Sequence, residues 1–226
     1  MTIIKNIAFW LFILCLPVLL LTASVSAAAN CPLLYKYGFE SNNVAEVTGL
    51  APAELDKVIV GLIGYFNSGD EYIDLTVEKD GKLFTLFNNR EVTHLKDVKG
   101  LFRLVYKILL GTGLYALVFV SACLFWWRDK RRLGQGLFFG GSLTLALMAI
   151  LAIILAIDFD WFFLKFHLLS FANDFWMLDP AKDYLIMLFP QGFWFDAALS
   201  VAVAAAAGAI ILGGVGWWLK KIGDKV

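Results

Sequence analysis

Four long apolar runs alternate with polar segments along the chain of 226 residues. Each run is close to or above the roughly 20 apolar residues that a helix needs to cross the hydrocarbon core of a bilayer. The runs cover residues 7–29, 101–127, 133–157 and 197–219. The pattern therefore predicts an α-helical polytopic membrane protein with four transmembrane helices.

The charges between the runs indicate which side of the membrane each polar segment occupies. A compact basic loop at residues 128–132 joins the second and third runs, and Lys5 and a lysine-rich C-terminal tail agree with it. Because loops rich in Lys and Arg stay in the cytoplasm, both termini are predicted to be cytoplasmic. The segments 27–100 and 158–196 hold eleven acidic against seven basic residues and six against two, and are predicted to lie outside.

The segment between the first two runs has the pattern of a small folded domain. Apolar residues recur at helical spacing over 53–67, which predicts an amphipathic helix. Two alternating segments follow and are joined by Asp80 and Gly81, a typical hairpin turn. Asn88 and Glu91 then stand at capping-box spacing and predict the start of a helix that leads into the second span. An extracytoplasmic α+β domain is therefore expected.

The first apolar run can be interpreted in two ways. Its end, SVSAAAN before Cys31, resembles a secretory signal, and the cysteine suggests a lipoprotein. The run is nevertheless as long as a span, and Asn30 is a poor residue to precede a lipidated cysteine. An uncleaved first helix is the preferred prediction.

These patterns divide the chain into eight predicted segments. They are the first transmembrane helix (1–29), the extracytoplasmic α+β domain (30–100), the second transmembrane helix (101–127), the cytoplasmic loop (128–132), the third transmembrane helix (133–157), an extracytoplasmic or interfacial segment (158–196), the fourth transmembrane helix (197–219) and a cytoplasmic tail (220–226).

The interfacial segment contains the least ordinary stretch of the chain, KFHLLSFANDFWMLDP at residues 165–180. The apolar part around His167 is too short to cross the membrane and predicts an interfacial or re-entrant piece. Asp179 and Pro180 have the pattern of an N-cap followed by a first helical residue, so a short helix is predicted from there to Pro190.

The chain contains two histidines, His94 and His167, and both fall on the predicted outer side. The second and third spans are joined by about five residues, so they should form an antiparallel hairpin whose outer ends are neighbours. This topology permits the histidines to meet. Such a pair, which titrates near neutral pH, suits acyl transfer on a lipid-borne ester, with one ring as base and the other as acid or oxyanion donor.

Polar residues near the two histidines are candidates for orienting them or for binding substrate. Arg90, His94 and Asp97 share one face of the predicted helix, although they could simply form its wet face. Likewise Asp179 could be only a helix cap, and the Asn173–Asp174 pair only a solvated turn. The candidates are Arg90, Glu91, Asp97, Asn173, Asp174, Trp176, Asp179 and Asp183.

Several other kinds of site find no support in the sequence. The three cysteines are dispersed and form no CxxC motif, and no GxSxG, HExxH or SxxK pattern occurs. A catalytic zinc would need carboxylate ligands in addition to the two histidines. No metal, no other cofactor and no nucleic-acid partner is expected.

Two motifs resemble the bacterial lipoprotein intramolecular transacylase family, Lit. They are NREVxHLxDVKxLF at residues 89–102 and FHxLSFxNDxWxLDPxxDYLIxLFPxxFWxD at residues 166–196. With the four spans and the outer domain, the resemblance covers essentially the whole chain. It implies an acyltransferase of the bacterial cytoplasmic membrane, multi-pass, with its active site on the extracytoplasmic side.

The resemblance also implies a substrate and a reaction. The substrate is a lipoprotein whose N-terminal cysteine carries a diacylglyceryl group and a free α-amine, presented in membrane lipid. The enzyme moves the sn-2 acyl chain to that amine and leaves an N-acyl lyso form. The functional histidines of the family match His94 and His167. Transfer is expected to be direct, although Ser170 or Cys31 could form an acyl-enzyme.

Three other functions remain compatible with the residues. The protein could be a non-enzymatic membrane partner whose outer domain binds another protein or lipid. A lipid-ester hydrolase would use the same site with water as acceptor. A haem protein could use the two histidines as axial ligands, although such sites usually lie between spans.

Overall fold

The computed structural model describes residues 2–223 and is mostly helical. A two-stranded sheet lies between the fourth and fifth helices. The elements, in chain order, are α1 (Thr2–Ala29), α2 (Pro32–Ser41), α3 (Val44–Thr48), α4 (Pro52–Asn67), β1 (Thr76–Lys79), β2 (Lys82–Thr85), α5 (Asn89–Ser121), a π-helical turn (Ala122–Trp126), α6 (Lys130–Ile157), α7 (Phe159–Ser170), α8 (Tyr184–Leu188) and α9 (Gln191–Gly223).

Four helices are long and apolar enough to cross a membrane, in agreement with the predicted multi-pass protein. They are α1, α5 with its π-helical turn, α6 and α9. The helix formed by α5 and the turn has 38 residues. At 1.5 Å per residue it is about 57 Å long, well beyond the roughly 30 Å of a hydrocarbon core. Its first turns, which carry His94, therefore precede the apolar run that starts at residue 101.

The described chain forms two compact units. The first, here the span unit, comprises residues 2–26, 105–157 and 199–223. The second, the α+β unit, comprises residues 27–104 and 158–198. Both histidines belong to the α+β unit.

Within the span unit, aromatic and small residues bring the helices together. Phe12 of α1 stacks on Phe119 of α5 with ring centroids 4.3 Å apart. Helices α6 and α9 approach so closely that a Cβ on Gly216 would lie 2.6 Å from the carbonyl oxygen of Gly134. Such close backbone contact between membrane helices requires small residues.

The α+β unit is built around the predicted amphipathic helix. The prediction of a helix over 53–67 is confirmed by α4, whose Val58 and Leu62 are completely buried. The predicted hairpin is also confirmed: Lys79 pairs with Lys82 across the turn. Asp80 and Gly81 have φ of 53° and 74°, as a two-residue turn with left-handed residues requires.

The prediction of a helix that starts at Asp179 is wrong. The observed helix α8 begins at Tyr184 and has five residues. The Asp179 carboxylate accepts from the amide of Ala181 at 3.0 Å, and the amide of Asp179 donates to Asp183 Oδ2 at 2.7 Å. These bonds close a turn and leave Asp183 as the N-cap.

Candidate active site

The position of His94 follows from how α5 starts. The amide of Asn88 donates to Glu91 Oε2 at 2.7 Å, while Asn88 Oδ1 accepts from the amides of Arg90 and Glu91 at 2.9 and 3.2 Å. This reciprocal arrangement confirms the predicted capping box. It fixes the helix start, and with it the direction in which His94 points.

His167 lies near the end of α7, whose first turn is capped by Asp158 accepting from the amide of Trp161 at 2.8 Å. The Nδ1 atom of His167 lies 2.8 Å from the carbonyl oxygen of Phe163, one helical turn earlier. A carbonyl oxygen can only accept, so Nδ1 carries the hydrogen in the neutral ring. The lone pair of neutral His167 is therefore on Nε2.

The two histidines meet in the α+β unit. Their ring centroids are 6.2 Å apart, and the rings are tilted by 33°. Phe171 touches both, at 4.9 Å from His94 and 5.6 Å from His167, and Trp176 packs on His167 at 5.0 Å. His94 is 7% exposed and His167 is 8% exposed. The pair is thus almost enclosed by aromatic rings.

Enclosure keeps both rings neutral at physiological pH. The pKa of His94 is lowered to about 4, mainly by burial and less by the neighbouring His167, while Asp97 acts in the opposite direction. Burial also lowers the pKa of His167, against the effect of its bond to Phe163. In addition, His94 Nδ1 is buried and has no hydrogen-bond partner among residues 2–223. A neutral, partly unsatisfied pair of imidazoles can accept or donate a proton.

One face of α5 is tied to the loop after α7. Arg90 donates to the carbonyl oxygen of Asp174, and Asp97 Oδ2 accepts from Asn173 Nδ2 at 2.9 Å. The predicted shared face of Arg90, His94 and Asp97 is confirmed, because all three contact residues of this loop. These bonds hold the loop that carries Phe171 against the helix that carries His94.

Two buried carboxylates fasten the far end of the same loop. Glu91 is 1% exposed and accepts from the amide of Leu185 at 2.6 Å through Oε1. Asp183 is 3% exposed and accepts from Asn88 Nδ2 at 2.8 Å through Oδ1. Burial raises the pKa of Glu91, while its bonds to backbone amides lower it. We call Asn88, Glu91 and Asp183, with the amides they bind, the carboxylate lock.

The structure thus divides the candidate polar residues into groups. Glu91 and Asp183 bind backbone amides and Asn88, whereas Asp97 acts electrostatically on His94. Asp179 lies near the surface, where its carboxylate is 3.5 Å from Lys182 Nζ. Trp176 belongs to the aromatic enclosure.

The sequence reasoning missed three phenylalanines of the enclosure, Phe163, Phe166 and Phe171. Their ring centroids lie 4.2, 5.4 and 5.6 Å from the ring of His167. Helical spacing around His167 is the signal that could have identified Phe163.

A cavity of about 490 Å³ opens beside Phe171 and Asn173. Asp97 and Ser170 line it together with three basic side chains of α5, namely Lys96, Lys99 and Arg103. A second cavity, of about 380 Å³, lies against the carboxylate lock and is lined by Asn88, Arg90, Met177, Asp179, Lys182 and Asp183.

Comparison with known proteins gives a consistent result. The family model described as lipoprotein intramolecular transacylase Lit matches residues 10–194. The solved structure of the membrane-integral lipoprotein intramolecular transacylase Lit from Bacillus cereus superposes with a TM-score of 0.86 at 21% identity, covering 100% of both chains.

Two variants of the same Bacillus cereus protein, with one histidine replaced by alanine or by arginine, superpose with a TM-score of 0.79 at 20% identity. The alanine variant covers 99% of this chain and 96% of its own, and the arginine variant covers 98% and 94%. No curated protein sequence matches the chain. Since the family model spans most of the sequence, this membrane protein belongs to the lipoprotein intramolecular transacylase family, Lit.

Proposed function

We propose that this protein moves the sn-2 acyl chain of a diacylglyceryl-modified N-terminal cysteine to the α-amine of the same residue. Family membership supports a transacylase acting on lipoproteins. The observation that carries the finer proposal is the pair of buried histidines, whose ring centroids are 6.2 Å apart and whose pKa values are lowered by burial.

His167 acts as the general base. Its Nδ1–H is held by the carbonyl oxygen of Phe163, so the free lone pair on Nε2 is available to the amine. As the nitrogen attacks the ester carbonyl it becomes acidic, and His167 accepts the proton that it loses. A neutral ring is required for this step, and burial favours the neutral ring.

His94 acts on the ester side. A neutral imidazole carries one N–H, which can stabilise the oxyanion that forms at the ester carbonyl. The unsatisfied buried Nδ1 of His94 supports this role, because the ring has hydrogen-bonding capacity that the described residues do not use.

The reaction balances without an acyl-enzyme or a cofactor. The bond between the acyl carbon and the sn-2 oxygen breaks, and a bond between that carbon and the α-nitrogen forms. The proton taken from nitrogen by His167 passes to the sn-2 oxygen, which leaves as a hydroxyl. Because donor ester and acceptor amine belong to one molecule, orientation within the aromatic enclosure can supply much of the rate.

The remaining candidate residues hold the pair in place. The loop after α7 is fastened to α5 by the bond from Arg90 to the Asp174 carbonyl oxygen and by the carboxylate lock. This attachment positions Phe171 and Trp176 against the histidines. The backbone amide of Asp179 belongs to the carboxylate lock, because it donates to the carboxylate of Asp183.

We further propose that the site faces the extracytoplasmic side of the bacterial cytoplasmic membrane, with both termini inside. The basic loop at 128–132 and the acidic balance of 27–100 and 158–196 support this orientation. The first helix is retained rather than cleaved, since Phe12 and Leu16 of α1 are buried in the span unit.

Tandem mass spectrometry of a synthetic diacylglyceryl-cysteine lipopeptide, incubated with the purified protein, tests the proposal. The expected product has unchanged mass, with one acyl chain on the α-nitrogen. His94→Ala and His167→Ala should abolish its formation, whereas Thr93→Ala and Leu169→Ala, at the neighbouring positions, should not.

Other outcomes would redirect the assignment. Loss of one acyl chain would identify a lipid-ester hydrolase that uses the same site. An unchanged lipopeptide in all samples, with folded protein, would favour a non-enzymatic binding protein. An acyl group trapped on Ser170 or Cys31 would replace direct transfer by an acyl-enzyme.

A further inference from the structure

The carboxylate of Asp97 acts electrostatically on His94. Asp97 follows His94 by three residues on α5, and side chains at this spacing are neighbours on one helix face. Its electrostatic effect on His94 opposes the effect of burial, and it is the one carboxylate in the described chain with a resolved influence on that ring.

Asp97 is held by an amide whose orientation is fixed. Asn173 Oδ1 accepts from the amide of Phe175 at 3.1 Å, so its other end, Nδ2, donates to Asp97 Oδ2 at 2.9 Å. The carboxylate therefore has a defined position, while most of its acceptor capacity is unused within residues 2–223.

The basic residues around the same cavity are engaged elsewhere. Lys96 pairs with Glu71 at 2.6 Å. Lys99 donates to the carbonyl oxygen of Asp70 at 2.7 Å, and its Nζ lies 4.0 Å from the ring centroid of Tyr65. Lys99 also donates to Ser68 Oγ at 3.1 Å, and Arg103 donates to the Ser68 carbonyl oxygen at 3.4 Å.

No Lys or Arg lies within ion-pair distance of Asp97 in the part of the chain that the structure describes. A carboxylate that is fixed in place, borders a cavity of about 490 Å³ and lacks a cation is arranged to receive one from a ligand. Phe171 connects this cavity with the histidine pair, because it lines the cavity and touches both imidazole rings.

We propose that Asp97 binds the α-ammonium group of the substrate's N-terminal cysteine and thereby selects lipoproteins with a free amine. The inference rests on the proposed transacylase function and adds the group that recognises the acceptor. An α-amine has a pKa of about 7.7–8.0, so most substrate arrives as the cation. Charge-assisted hydrogen bonds to a carboxylate are about twice as strong as neutral ones.

The bound cation becomes the nucleophile in two steps. The ammonium first loses one proton to solvent and keeps a hydrogen bond to Asp97 as a neutral amine. The second proton leaves during attack, moves to His167 and ends on the sn-2 oxygen. Asp97 gains no proton in the cycle.

This recognition distinguishes the substrate from the product. The N-acyl product has an amide at this nitrogen and offers no cation to Asp97.

Binding of two non-reactive lipopeptides separates recognition from catalysis. Both carry ether-linked alkyl chains that cannot be transferred; one has the cysteine α-amine and the other has hydrogen in its place. At about pH 6.5, where the amine is protonated, the wild-type protein should bind the amino form about tenfold more tightly, the scale of one charge-assisted hydrogen bond.

The variants then identify the residue responsible. Asp97→Asn, which is isosteric and can still accept from Asn173, should reduce the preference to less than about threefold. Asp97→Glu keeps the carboxylate and should retain most of the preference for the amino lipopeptide. Asp70→Asn removes a charge from the same cavity, away from the pair, and should behave as wild type.

Equal affinity of the wild-type protein for both lipopeptides would overturn the proposal, and so would an undiminished preference in Asp97→Asn. The comparison of the two lipopeptides on the wild-type protein can overturn the proposal by itself, so the test does not depend on whether Asp97→Asn folds. The proposed transacylation is tested separately, with the ester lipopeptide. Active wild-type enzyme without amine preference would refute the role of Asp97 alone.

Discussion

At the residue scale, the protonation state of the two histidines governs what the site can do. Both rings are over nine-tenths buried, and for each ring burial is the main reason why its pKa lies below that of an exposed histidine. The sequence predicted which two residues these are, but not that they are neutral, because the phenylalanines that enclose them come from separate positions along α7 and its loop.

Replacing His94 by Gln should make the protein less sensitive to acid. In the folded state the pKa of His94 is about 4, below the roughly 6.5 of the unfolded chain, so the unfolded chain binds the proton first. The stabilisation is complete above about pH 6.5 and is lost as the pH falls towards 4. The wild-type Tm should therefore fall more than that of His94→Gln between about pH 7.5 and pH 5.

The comparison can be made by differential scanning fluorimetry in detergent. The carboxylates that titrate over the same range are common to both proteins, so the difference between the two Tm shifts reports on His94. An equal fall in Tm would contradict the prediction, because it would mean that His94 has the same pKa in the folded and in the unfolded protein.

At the element scale, the loop between α7 and α8 depends on the carboxylate lock. Asp183 is buried and accepts from Asn88 and from the amide of Asp179, whereas the Asp179 side chain is about half exposed. We expect Asp183→Ala to lower turnover by ~10-fold or more, in the range found for residues that orient catalytic groups.

Asp179→Ala is the matched control, because it removes the same group from the same loop but leaves the backbone amide in place. Its turnover should stay within about threefold of wild type. Hydrogen exchange at the Leu185 and Asp179 amides should accelerate in Asp183→Ala only. Equal turnover in the two variants would show that the lock does not position the histidines.

Helices α6 and α9 supply a second prediction at this scale. A side chain at Gly216 meets the backbone of α6 within 2.6 Å, and backbone cannot move aside as a flexible side chain can. Gly216→Val should lower the free energy of unfolding by about 1–3 kcal/mol or more. Gly214→Val, also on α9 but with no atom within 4 Å of the added Cβ, should lower it far less.

Chemical unfolding in mixed micelles measures both values. If both variants lose a similar amount of unfolding free energy, helix propensity rather than close packing of α6 on α9 determines the destabilisation.

Elements whose signal is local were predictable from the sequence. Among the elements that such signals predicted, the structure has the spans, α4, the Asp80–Gly81 turn and the Asn88–Glu91 capping box. Each depends only on residues that are contiguous in the sequence. The helix from Asp179 was not predictable, because Asp183 and its partner Asn88 are separated by 95 residues. The long-range bond between Asn88 and Asp183, together with the turn bonds of Asp179, replaced the predicted helix cap.

At the scale of the whole molecule, the orientation in the membrane can be measured directly. We expect both termini and the loop before α6 to be cytoplasmic and the hairpin to be outside. In a background whose three native cysteines are replaced, the Lys82→Cys variant should react with a membrane-impermeant maleimide in intact cells. The Lys130→Cys variant should react only after the membrane is permeabilised. The reverse labelling pattern would invert the topology.

The continuity of α5 has a consequence for the position of His94 relative to the apolar run that follows it. His94 and the first residue of the apolar run, Leu101, belong to one unbroken helix, seven residues apart. At 1.5 Å per residue this is about 10 Å, a distance set by helix geometry rather than by a flexible loop. One residue inserted between them would lift the imidazole by about 1.5 Å and turn it by about 100°. Helix geometry therefore fixes both the distance of the imidazole from the start of the apolar run and the direction in which the ring points.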